Sequence, residues 1–215
     1  MTESKPIKAK LTVGVLLFHG FALMDAAGPM QFFTLLEDEM EVVTIGAMAG
    51  LVKCGGNVPM QAMVSFETCP PLDILVLPGA GPEHGNVFRD PAYLNFIVER
   101  AKTAQYVLSV CSGSAFLAAS GLLDGKRATT NKSLYNWVVA NFGKEFNIEW
   151  VPHARWVQDG RIWTSSGVTA GMDMAYAFAV HLYGADRLKT ALEVIEYTPA
   201  LDASDDPFSY LTQAE

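Results

Sequence analysis

The chain has 215 residues, half of them apolar, and a formal net charge of -8 at pH 7. This length and composition are typical of one domain with a sizeable hydrophobic core. The negative charge, together with the lack of any lysine or arginine cluster, argues against a nucleic-acid-binding surface.

The sequence also argues against membrane insertion and against bound metals. No apolar run is long enough for a transmembrane helix, and no signal-peptide pattern follows the polar first ten residues. The three cysteines have no paired spacing, which excludes a disulfide framework and a zinc site. A glycine-rich phosphate-binding motif is absent as well. We therefore expect a cytoplasmic protein without membrane contact that uses no metal and no other cofactor.

Short apolar runs alternate along the chain with segments of helical periodicity. The apolar runs predict strands at residues 11–18, 41–45, 73–77, 105–110, 126–130, 148–150, 155–158 and 162–165. The periodic segments predict helices at residues 25–36, 90–103, 114–120, 132–141, 169–183 and 185–197. Residues 46–65 are rich in glycine and predict a small β-hairpin outside the main sheet. We place Asp25 near the start of its helix and Pro29 in the first turn.

This alternation predicts an α/β fold with a mostly parallel sheet covered by helices on both faces. We expect a single domain over residues 1–215, with a core at about 11–197 and an irregular acidic tail at 198–215. In such sheets, functional sites lie beyond the carboxyl ends of the strands. Asp25, Gly79 and Cys111 all follow predicted strands, so we expect them to converge.

Cys111 stands between a buried strand and a helix, and small residues follow it. The order strand, Cys111, Ser112, Gly113, Ser114, helix is typical of a nucleophile elbow. The N-terminus of the following helix is expected to lower the thiol pKa and to supply a reactive thiolate. The alternative is that Cys111 is only a small buried hydrophobic residue.

Five segments carry motifs that are specific when taken together: residues 18–29, 71–79, 109–114, 119–130 and 166–173. With these segments the chain, from residue 11 to about residue 197, resembles the ThiJ/PfpI superfamily, relatives of the class I glutamine amidotransferases. The last three segments are most similar to the isocyanide hydratase branch and to the ligand domains of certain AraC-type regulators. The resemblance implies a flavodoxin-like three-layer sandwich and a homodimer that acts on a small molecule.

The resemblance also implies a chemistry. In that branch a cysteine attacks the isocyanide carbon, a carboxylate acts as general acid/base, and water releases an N-substituted formamide. Carried over, Cys111 is the nucleophile and Asp25 the acid/base. A carboxyl group beside a thiolate has a raised proton affinity, so Asp25 can carry the required proton near neutral pH. The alternative for Asp25 is a helix N-terminal cap or a partner of the helix dipole.

The surrounding residues follow from the same resemblance. Ser112 is expected beside the sulfur, with its backbone N–H acting like an oxyanion-hole donor. Gly79 and Ala80 are expected opposite, as a second loop of backbone donors. Val168 and Thr169 are expected to form a wall of the substrate site, with Val168 near the sulfur. Ordinary packing and capping at the start of a helix is the alternative for these last two residues.

One position departs from the pattern of the superfamily. Many members carry a histidine near the cysteine at the position of Asn131. An asparagine can form hydrogen bonds and orient a group, but it cannot take up a proton at neutral pH. The chain therefore lacks the base of a Cys–His hydrolase at this position, and a Cys–Asp mechanism is favoured.

Three functions remain open at this point. The leading hypothesis is hydration of a small isocyanide by Cys111 and Asp25. The second is a glutathione-independent glyoxalase that converts methylglyoxal to lactate through a hemithioacetal on Cys111. The third is a redox or metabolite sensor with an oxidisable Cys111. A DNA-binding regulator would need a helix-turn-helix domain after the core, and we do not expect one.

Overall fold

A computed structural model describes residues 10–213 of the chain. Its strands are β1 (Leu11–Leu16), β2 (Met40–Gly46), β3 (Gly50–Lys53), β4 (Pro59–Ala62), β5 (Val64–Ser65), β6 (Ile74–Leu77), β7 (Tyr106–Ser109), β8 (Arg127–Ala128), β9 (Glu149–Trp150), β10 (Trp156–Asp159) and β11 (Ile162–Ser165). Its α-helices are α1 (Leu23–Thr34), α2 (Pro91–Thr103), α3 (Ser114–Ala119), α4 (Tyr135–Phe142), α5 (Val168–Tyr183) and α6 (Ala185–Ile195). Residues 1–9 and 214–215 of the expected single domain lie outside the described range.

The main sheet has seven strands in the order β10-β11-β7-β6-β1-β2-β5. All neighbours pair in parallel except β10 and β11, which form an antiparallel hairpin. Every residue of β6 is buried, as expected for a strand covered on both faces. Helices α1, α5 and α6 pack together as one group, and α2, α3 and α4 as another. The predicted flavodoxin-like α/β fold is confirmed.

Three aromatic side chains pack together at the end of the sheet where the expected site residues lie. Phe18, just after β1, makes an edge-to-face contact with Phe116 of α3, with 5.4 Å between the ring centroids. Phe88 contacts both rings, with centroid distances of 6.1 Å to Phe18 and 4.7 Å to Phe116. All three side chains are almost completely buried. Because such pairs are directional, the cluster fixes α3 relative to the carboxyl end of β1.

Helix α1 begins earlier than expected. It starts at Leu23, so Pro29 is its seventh residue, and the prediction that Pro29 lies in the first turn is wrong. The early start follows from a tight connection after β1, where the Ala22 N–H donates to the Gly79 carbonyl at 2.8 Å. Asp25 consequently lies inside the first turn. The helix has no side-chain cap, so the capping alternative for Asp25 is wrong as well.

Two other segments differ in detail from the prediction. The hairpin excursion is present as the antiparallel pair β3–β4, but the chain then returns to the main sheet as β5, a parallel neighbour of β2. The tail is irregular as predicted, apart from a short 3-10 turn at Ser209–Gln213, yet it is docked on the domain because Asp206 is completely buried. Among residues 10–213, no helix is both long and apolar enough to cross a bilayer.

Candidate active site

Cys111 occupies a strained turn between β7 and α3. Its φ angle is +59°, in the left-handed region that residues other than glycine rarely adopt, and residues Cys111–Gly113 form a 3-10 turn. The turn is held by a hydrogen bond from the Cys111 N–H to the Ser166 carbonyl at 3.0 Å. Gly113 has no space for a side chain, because a Cβ atom there would collide with the Leu77 carbonyl. The predicted nucleophile-elbow geometry is therefore present.

Asp25 is a completely buried carboxyl group next to this turn. Its Oδ2 accepts a hydrogen bond from the Gly79 N–H at 3.0 Å. Its Oδ1 is buried and accepts no hydrogen bond of normal geometry from the described residues, while the Cys111 thiol lies close enough to affect the pKa of the carboxyl. Burial raises the pKa of Asp25 from 3.8 to about 6, although the hydrogen bond from Gly79 and the nearby Cys111 thiol oppose the rise.

The Cys111 thiol shares this environment. Burial, and then the charge of Asp25, raise the pKa of Cys111 well above its usual range, while hydrogen bonds from the Ser112 N–H and the Asn131 amide act against the rise. The expectation of a lowered thiol pKa is wrong for the resting protein. Helix α3 has only six residues, and its positive end does not outweigh the loss of water and the adjacent carboxylate. In this shared buried site both groups of the Asp25–Cys111 pair therefore hold a proton more firmly than they would in water.

Asn131 lies beside the sulfur in a fixed orientation. Its Oδ1 accepts hydrogen bonds from the Leu134 N–H at 3.0 Å and from the Ser133 hydroxyl at 2.7 Å. The amide nitrogen is thereby left to donate to Cys111. Asn131 thus occupies the place expected for it near the cysteine, and it serves as a donor to the sulfur.

The expected second donor loop has a different role. The Gly79 N–H is used by Asp25, and the Ala80 N–H donates to the Ser112 hydroxyl at 2.9 Å. The same hydroxyl donates back to the Ala80 carbonyl at 2.7 Å. Gly79 and Ala80 are thus backbone donors, but within the described residues the Gly79 N–H serves Asp25 of α1 and the Ala80 N–H binds the elbow to the carboxyl end of β6. The Ser112 backbone N–H does point to the sulfur, as expected.

A cavity of about 220 Å³ is lined by residues that contact Cys111, but Cys111 and Asp25 are not among its lining residues. The lining includes Asn131, which donates to the sulfur, and Ser166, whose carbonyl accepts from the Cys111 N–H. Val168 and Thr169, at the start of α5, also line this cavity, and their role as a wall of the substrate site, with Val168 near the sulfur, stays a prediction.

The sequence did not predict the buried ionic cluster behind this cavity, which consists of Lys132, Arg155, Asp173 and Asp206. Arg155 donates to the Asp173 carboxylate at 2.6 Å and lies 3.9 Å from Asp206. It also donates to the Thr169 hydroxyl at 3.3 Å, so that hydroxyl is already engaged. Lysine and arginine are normally exposed, so only the position of Lys132, directly after Asn131, was available as a signal.

The fold and the site define an α/β protein with a buried cysteine–carboxylate pair at the carboxyl edge of a parallel sheet. The DJ-1/PfpI family model matches residues 11–180, and the chain belongs to that family.

Relatives of known sequence and structure agree with this assignment. The chain is 36% identical over 191 residues to isonitrile hydratase of Pseudomonas putida, a match that covers 88% of this chain and 80% of that protein. A crystal structure of a ThiJ/PfpI family protein from Pseudomonas syringae is 29% identical, with a TM-score of 0.79 over 93% of this chain and 80% of that one. Drosophila melanogaster DJ-1beta shares the fold, with 20% identity and a TM-score of 0.76 over 88% of this chain and 100% of that one. These relationships support a hydratase-type enzyme within a family of varied members.

Proposed function

We propose that this protein hydrates small isocyanides to N-substituted formamides, with Cys111 as the nucleophile and Asp25 as the general acid/base. The observation that carries the proposal is the buried Asp25–Cys111 pair. One carboxylate oxygen is anchored by the Gly79 N–H, and the other has no fixed hydrogen bond among the described residues. The similarity to isonitrile hydratase supplies the substrate class.

In the first step, the elements of the thiol add to the terminal carbon of the isocyanide. The sulfur of Cys111 forms the S–C bond, and the thiol proton passes through Asp25 to the same carbon. The product is a thioimidate, R–N=CH–S–Cys111. A carboxyl group with a pKa of about 6 is suited to this transfer, because it can both accept and release a proton near neutral pH.

In the second step, water adds to the thioimidate carbon. Asp25 takes one proton from the water as the C–O bond forms and passes it to the substrate nitrogen. The C–S bond then breaks as the new hydroxyl group becomes the formyl oxygen, the hydroxyl proton passes through Asp25 to the sulfur, and R–NH–CHO leaves. The hydrogen bonds from Asn131 and the Ser112 N–H stabilise the negative charge on the departing sulfur.

The two other hypotheses have less support. A sensor needs an accessible thiolate of low pKa, whereas Cys111 is only 6% exposed and its pKa is raised. A glyoxalase must move a proton between two carbons, and members of the superfamily that do so usually have glutamate and histidine. This chain has Asp25 and Asn131 at the corresponding places.

The test uses chromatography to measure the formamide that is produced from a simple aryl isocyanide. Cys111→Ala should abolish turnover, and Asp25→Asn should lower kcat by about 10²- to 10⁴-fold. Cys69→Ala is the matched control, because it removes another buried thiol, and it should retain activity. Turnover that persists in Cys111→Ala would disprove the mechanism. Conversion of methylglyoxal without any isocyanide turnover would favour the glyoxalase.

A further inference from the structure

A buried lysine holds the loop that follows β8. Lys132 is 2% exposed, and its Nζ donates to the Thr129 hydroxyl at 2.7 Å and to the Ala154 carbonyl at 2.6 Å. A third, longer hydrogen bond runs to the Thr130 carbonyl at 3.4 Å. An ammonium group has three N–H donors, so each of them has an acceptor within the protein. The lysine therefore ties its own loop to the segment that leads into β10.

The loop that Lys132 holds makes two contacts with Cys111. The Thr130 hydroxyl donates to the Cys111 carbonyl at 3.2 Å, and the Asn131 amide donates to the sulfur. These two donors directly precede Lys132 in the chain. A change in the position of this loop therefore changes the contact of the Asn131 amide with the sulfur.

Lys132 is buried at a cost in stability. Burial lowers the pKa of Lys132 from 10.5 to about 8, while the carboxylate of Asp206 opposes the fall and the charge of Arg155 adds to it. An apolar side chain of similar length would be buried here at a lower cost. It would leave the Ala154 carbonyl and the Thr129 hydroxyl without this donor. Lys132 is therefore better suited to holding the loop by hydrogen bonds than to filling the core.

We infer that Lys132 is a positioning residue for the reaction at Cys111, because its ammonium group holds the loop from which the Asn131 amide donates to the sulfur. This inference rests on the proposed function, in which that amide stabilises the departing sulfur. Lys132 acts through Asn131, and its own proton does not enter the reaction. Loss of the ammonium group should therefore lower kcat and leave KM nearly unchanged.

The first test is a double-mutant cycle between Lys132→Met and Asn131→Ala, with formamide production from phenyl isocyanide as the readout. Each single variant should lower kcat by about tenfold or more, the effect of one hydrogen bond to a charged group. The double variant should be slower than Asn131→Ala alone by less than about twofold, because the lysine acts through the asparagine. A lysine that only stabilises the fold would give losses that multiply, and that result overturns the inference.

Arg161→Met is the matched control. The Arg161 guanidinium also donates to two backbone carbonyls, those of Ala101 at 2.6 Å and Ala104 at 2.8 Å, but it lies at the amino end of β11, away from the elbow. This variant should lower the unfolding free energy without changing kcat. Urea unfolding shows whether each variant is folded. If Lys132→Met is not, Lys132→Gln, which keeps N–H donors at this position, replaces it in the cycle and should show a smaller loss with the same coupling.

A second cycle works without turnover. The rate at which iodoacetamide alkylates Cys111 is followed by peptide mass, which separates this thiol from Cys54 and Cys69. The Asn131 amide acts to lower the pKa of the thiol. Asn131→Ala and Lys132→Met should therefore each slow alkylation by about tenfold at fixed pH, and the double variant should be no slower than Asn131→Ala.

The two cycles separate the inference from the proposed function. A wild-type alkylation rate in Lys132→Met, or in Asn131→Ala, overturns the positioning role. The expected coupling in alkylation, with no isocyanide turnover by the wild type, supports the position of the loop and rejects the proposed function.

Discussion

Replacement of Asp25 by asparagine should stabilise the fold at neutral pH, and the gain should fade in acid. Burial raises the pKa of Asp25 from 3.8 to about 6, so between these values the folded state binds more protons than the unfolded state. The stability contributed by protonated Asp25 is therefore complete below pH 3.8 and is lost as the pH rises through about 6. A pKa that is about two units higher in the folded state than in the unfolded state corresponds to about 3 kcal/mol of unfolding free energy at neutral pH.

The assay is urea unfolding of the wild type and Asp25→Asn in reducing buffer, at about pH 4 and about pH 7. The advantage of the variant in unfolding free energy should be about 2.5 kcal/mol larger at neutral pH than in acid. Asp38→Asn is the control, because it makes the same chemical change at an exposed position and should shift the free energy by less than about 0.5 kcal/mol. A pH-dependent gain below about 1 kcal/mol, or one of opposite sign, would refute the argument.

Two further substitutions test the contacts around the site. Gly79→Ala should destabilise the fold by about 1–3 kcal/mol and reduce formamide production, because its Cβ would lie 2.5 Å from the Ser112 hydroxyl oxygen. Gly55→Ala, whose Cβ would have its nearest neighbours at 3.7 Å, should melt like the wild type, and equal melting temperatures for the two variants would contradict the clash. Arg155→Met should cost about 3–5 kcal/mol in urea unfolding, because it leaves buried carboxylates without their partner. Arg187→Met breaks a more exposed ion pair and should lower the unfolding free energy by about 1 kcal/mol or less. A loss of unfolding free energy as large as that of Arg155→Met would contradict the argument that burial makes the Arg155 ion pair costlier to break.

The nucleophile elbow could be predicted from the sequence because its signals are local. An apolar strand, one cysteine, three small residues and a short helix all lie within residues 106–119. The space available to Gly113 is limited by Leu77 and Pro78 at the end of the adjacent strand β6, which the same kind of pattern predicts. The approach of Asp25 to Cys111 follows from topology, since β1, β6 and β7 are neighbours in a parallel sheet.

The hydrogen bonds of the site could not be predicted in this way. Asp25 takes its donor from Gly79, 54 residues away, and Ala80 binds a hydroxyl 32 residues away. No sequence period encodes such pairs, so free and occupied N–H groups look identical in the sequence. The tail was expected to be irregular, and it is, but its buried Asp206 is recognisable only once its partners are known.

The thiol pKa shows most clearly how burial changes the interpretation of a local motif. A helix N-terminus favours a thiolate, and at an exposed elbow that effect can dominate. Here desolvation and the carboxylate outweigh it, and the pKa of Cys111 is raised. A protonated thiol is a poor nucleophile for most electrophiles, but addition to an isocyanide requires a proton at the very carbon that the sulfur attacks. A pair that retains one proton between sulfur and carboxylate is therefore better matched to this addition than a free thiolate would be, and the feature that weakens the sensor hypothesis supports the hydratase.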